Sequence, residues 1–104
     1  VSLSAVRTVL EAHPRVAAAE AVALPDPDWG SRLVALVVPR DPGSTTDTAP
    51  SALAELGAAV EQELGRAARP RGVHTVRALP ILESGKVDRG AVLEWARDLD
   101  RINR

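Results

Sequence analysis

Val6, Val9 and Leu10 recur at helical spacing, with Ala5 and Ala12 filling the same face, and Ser2 or Ser4 is placed to cap the helix they predict. Pro14 ends that helix, which puts His13 in its last turn, where a partial positive charge suits the helix dipole. The alanine-rich stretch that follows favours helix by propensity, yet Pro14 and Pro25 bracket it too closely for a stable one, so 18–24 is predicted as a strand. Pro25-Asp26-Pro27-Asp28-Trp29-Gly30 is a dense turn signal. Arg32 to Val38 is apolar enough for a strand buried on both faces, and the two strands pair antiparallel across the Pro-Asp turn. Pro39 to Pro50 reads as a surface connection without a large apolar anchor. Ser51 is expected to cap a second helix, 52–66, with Leu53, Leu56, Val60 and Leu64 on one face and Glu55, Glu61 and Glu63 on the other. Arg69 to Gly72 breaks the pattern, Val73 to Leu79 is a third strand, and Asp88 caps a last helix to about Leu99, with Ala91, Val92, Trp95 and Leu99 as its apolar stripe. The predicted fold is α+β in the order α-β-β-α-β-α, a three-stranded sheet with helices packed on it, forming one domain over residues 1–104.

Composition narrows this picture. The 104 residues are 45% hydrophobic and 26% charged, and Phe, Tyr, Met and Cys are absent, so the core must be built from Ala, Val, Leu and Ile. Without cysteine there are no disulfides, thiolate metal sites or thiol nucleophiles. The net charge of −1 excludes nucleic-acid binding by bulk electrostatics. No apolar run approaches the roughly 20 residues of a membrane span and no signal peptide is visible, so a cytoplasmic setting is expected. The chain starts at Val1 and runs straight into a helical pattern, as a piece of a longer protein would.

Lys86 is the only lysine; the other twelve cations of the Lys-plus-Arg total of 13 are arginines. It follows Gly85 in a loop just before a predicted helix N-terminus. Gly85 permits backbone conformations closed to other residues, and Lys86 is a compact charge on a flexible stem. Exposed N–H groups at the start of the helix add to the attraction for an anion. Such a lysine can neutralise charge that builds up in phosphoryl or nucleotidyl transfer. The same pair also fits a solvated turn lysine, and the full glycine-rich spacing of a P-loop is missing. Elsewhere, Trp29 could be an exposed contact residue in its turn or pack over its own strand. Arg69, Arg71 and Arg77 could receive a phosphate or form a solvated basic rim. His74 is expected to point outward or to be hydrogen-bonded, Trp95 to be core, and Arg89 to pair with a partner domain, Glu83 or Asp88. Two isolated histidines make no metal site.

Taken end to end, the chain resembles the C-terminal subdomain of the adenylate-forming superfamily: acyl-CoA synthetases, peptide-synthetase adenylation domains and beetle luciferases. Val1 to Val6 is similar to the family's Ile-Ser-Pro-x-Glu-Val segment, and Leu10 to Val16 to its Leu-x-x-His-Pro-x-Val. Leu24 to Gly30 matches a Pro-Asp-x-x-x-Gly turn, and Val34 to Val38 the strand after it. Leu79-Pro80 through Gly85-Lys86-Val87-Asp88-Arg89 is similar to the closing Leu-Pro-x-x-x-x-Gly-Lys-x-x-Arg. The chain departs where Ala67-Ala68 replace an aromatic-Lys pair, where Ile81-Leu82 replace Arg-Thr, and where Ala5 replaces Glu. Its tail is most similar to that of o-succinylbenzoate–CoA ligases of menaquinone synthesis.

The resemblance implies a mobile lid on a large N-terminal domain of the same polypeptide, which would bind ATP, Mg²⁺ and a small carboxylic acid. Lys86, carried on the Gly85 loop, would enter that site for adenylation. The lid would then rotate for thioester formation with coenzyme A, where Trp29 and Arg71 are the candidate contacts. The isolated chain is expected to be inactive. The alternatives are the lid of a peptide-synthetase adenylation domain and a non-catalytic α+β interaction module.

Overall fold

A computed structural model describes residues 2–28, 30–41 and 50–102. The elements run α1 (Leu3–Ala12), β1 (Val16–Asp26), β2 (Gly30–Pro39), α2 (Pro50–Leu64), a short 3-10 turn (Arg66–Ala68), β3 (Gly72–Thr75) and α3 (Arg89–Ile102). This is the α-β-β-α-β-α order predicted. The sheet order is β1-β2-β3, with β1 and β2 antiparallel and β3 parallel to β2.

The central strand explains the layering. Leu33, Ala35 and Val37 point to one face, where they join Val6 and Leu10 of α1 and Leu56 and Val60 of α2. Val34 and Leu36 point to the other face and meet Val92 and Ala96 of α3. A strand with side chains alternating between two buried faces is apolar throughout, which is why β2 was so plain in the sequence. Small side chains let three helices approach the sheet closely without aromatic filling.

Several boundaries differ from the sequence reading. Both strands of the hairpin are longer than predicted, because their pairing continues from Val16↔Pro39 to Asp26↔Gly30. β3 is shorter: only Gly72 to Thr75 pair with Val34 to Val37, and the chain then leaves the sheet toward Pro80. Ser51 lies inside α2 and does not cap it, since Pro50 already occupies the first turn, where its fixed φ and missing N–H are tolerated. Ser2 is the cap of α1, its Oγ accepting from the Ala5 N–H at 3.1 Å. His13 is the C-terminal cap residue and stands beyond the last turn; its ring reaches Glu55 of α2 at 3.5 Å and its Nδ1 accepts from the Arg15 N–H at 3.2 Å. Leu64 and Trp95, both expected in the core, are exposed. The sheet face is filled by Val92 and Ala96, and these leave Trp95 on the flank of α3. Of the predicted connection, Pro39 belongs to β2, Pro50 to α2, and residues 42–49 lie outside the described residues.

Two buried carboxylates fix α3 to the sheet. Glu20 of β1 is 3% exposed and receives Arg7 of α1 at 3.3 Å and Arg89 of α3 at 3.1 Å. At the other end of α3, Asp100 accepts from Nε of Arg32 in β2 at 2.9 Å and also from its Nη2. The same guanidinium donates to the Pro25 carbonyl at 2.9 Å and lies 3.5 Å from Asp26, so it ties the turn end of the β1–β2 hairpin to α3. The hydrogen bonds that Arg32 donates to Asp100 and the charges of Asp100 and Asp26 hold the Arg32 pKa above its already high ordinary value.

Candidate functional site

The segment from Leu79 to Asp88 is a small hairpin. Ile81 and Val87 form an antiparallel bridge, with the Asp88 N–H donating to the Pro80 carbonyl at 2.8 Å and the Leu82 N–H to the Lys86 carbonyl at 2.7 Å. The Gly85 N–H closes the tip onto the Leu82 carbonyl at 2.9 Å. This is a three-residue turn, Glu83-Ser84-Gly85, with the third residue in the left-handed region: Gly85 has φ of 89°. Glycine is required there by conformation rather than by space, because a Cβ at Gly85 would meet nothing within 4 Å.

Lys86 is therefore held at the first position after a locked tip. Its side chain is exposed, and its ammonium group makes no hydrogen bond or ion pair with any described residue. Glu83, expected to restrain it, is exposed at the tip without pairing to it. Asp88 acts on the backbone: its Oδ1 accepts from the Ala91 N–H at 3.1 Å, capping α3, while its own N–H closes the base of the hairpin. Arg89 reaches neither Glu83 nor Asp88. It donates to Glu20, which joins the hairpin's exit to the sheet. Sequence reasoning missed Glu20, although its place two residues before Val22 and four before Leu24 puts it on a buried face of β1.

Arg71 occupies a different surface. Its N–H donates to the Leu33 carbonyl at 2.8 Å, near the start of β2, whereas Ile81 and Val87 border Val38 near its end. Leu33 and Val38 are five residues apart, so about 17 Å of strand separates the two positions. Arg71 lines an open cleft of about 580 Å³ together with Arg32, His74 and Asp100. Within that cleft the half-buried His74 lies with Nε2 3.8 Å from Asp100 Oδ1 and without a hydrogen-bond partner. Arg69, expected beside Arg71 as part of a basic cluster, is instead paired to Glu61 at 2.8 Å. That hydrogen bond holds the Glu61 carboxyl below its ordinary pKa. Trp29 lies outside the described residues.

An exposed Gly-Lys hairpin thus precedes a capped helix on this three-stranded sheet. A model of the AMP-binding enzyme C-terminal domain matches residues 6–86, ending on Lys86 itself. The chain belongs to that family. Within this domain of the adenylate-forming superfamily, its relatives are CoA ligases and synthetases. A medium/long-chain-fatty-acid–CoA ligase of Mycobacterium tuberculosis is 39% identical over 88 residues, which are 84% of this chain and 15% of that protein. An acetyl-coenzyme A synthetase of Deinococcus radiodurans is 42% identical over 84 residues, 81% of this chain and 12% of that protein. Among solved structures, an acyl-CoA synthetase of Brucella canis superposes with a TM-score of 0.83 at 29% identity, over 96% of this chain and 18% of that one. This AMP-binding C-terminal domain thus spans less than a fifth of the length of these relatives. No helix among the described residues is long and apolar enough to cross a membrane.

Proposed function

We propose that this domain is the mobile lid of an ATP-dependent acid–CoA ligase, and that Lys86 supplies positive charge for the adenylation step. The observation that carries this is the state of Lys86: the sole lysine, exposed, unpaired among the described residues and presented by a hairpin whose tip is fixed by Gly85. An internally satisfied cation would have to break a partnership before it could serve a ligand. This one does not.

In the reaction a carboxylate oxygen attacks the α-phosphorus of ATP; the new acyl–O–P bond forms as the P–O bond to pyrophosphate breaks, and pyrophosphate leaves with that electron pair. Negative charge crowds onto the oxygens around phosphorus. Lys86 Nζ, staying protonated, bridges carboxylate and phosphate oxygens and lowers the energy of that arrangement most in the transition state. ATP and the acid belong to the large domain preceding this one in the polypeptide, so the isolated lid is inactive. No group of three or more His, Cys, Asp or Glu side chains among the described residues is placed to hold a metal ion by itself.

The separation of Lys86 from Arg71 supports a two-position cycle. The lysine end serves adenylation; rotation then withdraws it and turns the Arg71 cleft toward coenzyme A, whose phosphates suit a guanidinium. Substrates of this kind place the enzyme in the cytoplasm. The tail from Leu79 to Arg89 favours o-succinylbenzoate as the acid, and so a place in menaquinone synthesis. The relatives' names include medium- and long-chain fatty acids, acetate and sulfoacetate, so an acid panel should include these beside o-succinylbenzoate.

The test is Lys86→Ala in the full-length protein that carries this domain, with the two half-reactions assayed separately. Adenylate formation is expected to fall by at least about 10²-fold, as for loss of a charge-stabilising donor, with thioester formation from supplied acyl-adenylate largely kept. Equal retention of both would make Lys86 a turn residue. A carrier-protein thiol accepted in place of coenzyme A would identify a peptide-synthetase lid.

A further inference from the structure

The hairpin that carries Lys86 exposes more than the lysine. Ile81 is 63% exposed and Leu82 47%, both large apolar side chains directly before the tip. The bridge fixes their directions. Ile81 stands opposite Val87, whose side chain packs toward Val34, Leu36 and Val92 of the α3 layer. Leu82 stands opposite Lys86 at the last hydrogen-bonded step, and alternation puts the two on the other face of the ribbon. An apolar side chain thus stands across the ribbon from Lys86, and Ile81 presents a second exposed one on the opposite face. A helix can hide such residues by turning, but a ribbon of residues 80–88 locked by three backbone hydrogen bonds cannot. Polar residues would serve a purely solvated loop better, and polar residues stand at the adjoining turn positions Glu83 and Ser84.

We propose that Ile81 and Leu82 form an apolar anchor that seats the hairpin against the adenylating domain while Lys86 reaches the reacting oxygens. The occupant is a cleft of that domain, apolar where it receives the two faces of the hairpin and placed beside an anion site. Two observations favour it over a second copy of this chain. Relatives extend far beyond the matched part, which makes 12–15% of their length, so a large partner adjoins the domain in the same polypeptide. Leu82 also stands across the ribbon from the one group that must enter that partner's site, with Ile81 next to it in the strand. The inference rests on the lid reading above and adds the means by which the productive position is selected: burial of the pair occurs only when the lysine is delivered. Ile81 and Leu82 are positioning residues, since neither touches the reacting atoms.

The experiment uses the full-length protein with Ile81→Thr, Leu82→Asn, the double variant and Leu82→Met, beside Lys86→Ala. Both side chains are exposed in this domain, and melting temperatures of the variants are expected to match wild type. The double variant should lose about 10- to 100-fold in adenylation, the equivalent of leaving one or two apolar side chains unburied, with thioester formation from supplied acyl-adenylate within about twofold of wild type. Leu82→Met should restore most of the rate. Wild-type adenylation in the double variant, with Lys86→Ala inactive, would overturn the anchor and leave the lid reading standing. Wild-type adenylation in Lys86→Ala as well would remove the lid reading itself. Equal loss in both half-reactions, or loss of dimerisation of the separate domain in the double variant, would also overturn the proposal, the latter assigning the patch to self-association.

Discussion

Gly85→Ala isolates the contribution of loop geometry to the presentation of Lys86. The φ of 89° at Gly85 lies in the left-handed region, and nothing stands within 4 Å of an added Cβ, so steric collision plays no part. What remains is the intrinsic cost of holding an L-residue there, about 1–2 kcal/mol. The tip makes few other contacts that could offset this cost, so it falls on the equilibrium between the closed turn and open alternatives. If Lys86 acts only from the closed turn, adenylation by the full-length protein should drop by about 5- to 30-fold. Gly85→Asn should lose less, because asparagine tolerates this region better. Thioester formation from supplied acyl-adenylate should hardly change, and neither should the urea midpoint of the 104-residue domain if the tip opens locally, below the energy of global unfolding. An alanine variant that adenylates at the wild-type rate would refute the reasoning, because Lys86 would then work without the conformation that glycine provides. So would an asparagine variant slower than the alanine one.

Further outcomes follow from the core and from one surface pair. Leu36 is fully buried between β2 and α3, so Leu36→Ala should destabilise the domain by about 2–5 kcal/mol in equilibrium urea unfolding; a loss below about 1 kcal/mol would mean that the α3 layer is not tightly packed. The Glu61 carboxyl is held below its ordinary pKa of 4.5 chiefly by its hydrogen bond from Arg69, so the folded state favours its charged form. Its stabilisation is therefore complete above the unfolded pKa and disappears as pH falls through the lower folded value. The difference in urea midpoint between wild type and Glu61→Gln should accordingly shrink on acidification from neutral pH to below the carboxylate range.

Much of the fold was legible because local signals agreed. Val34 to Val38 could only be a strand buried on both faces, Pro14 and Pro25 cut the alanine run to strand length, and Asp88 capped α3 as its side chain allows. What failed was set by partners distant in sequence. Trp95 sits three residues after Val92, one of the two spacings of a buried helical stripe; the choice between Trp95 and Ala96 depended on how closely a small-residue sheet lets α3 approach. Glu20 looked like an interruption in an apolar strand, and its cations lie 13 and 69 residues away. Leu79 was read into β3, but the parallel pairing stops at Thr75 and the segment after it is recruited to the hairpin instead. At the candidate site, residue type and resemblance singled out Lys86. The closed tip, the free ammonium and the apolar neighbours appeared only with the backbone pairing. Arg71 was placed in the same functional list as Lys86, and only the register of β2 puts them at opposite ends.

The two ion pairs that end on the buried carboxylates Glu20 and Asp100, one toward each end of α3, also define the domain as a mechanical object. Arg89 to Glu20 clamps the helix where the hairpin enters it, and Asp100 to Arg32 clamps it near the far end, making α3 a beam fixed at both supports. A load applied at the hairpin is passed into the sheet rather than spent in bending the helix off its bed. In the lid cycle proposed above such a body would pivot as one piece: the compliance would lie outside the clamped unit, and a small rotation of the whole domain would become a large sweep at the tip of Lys86.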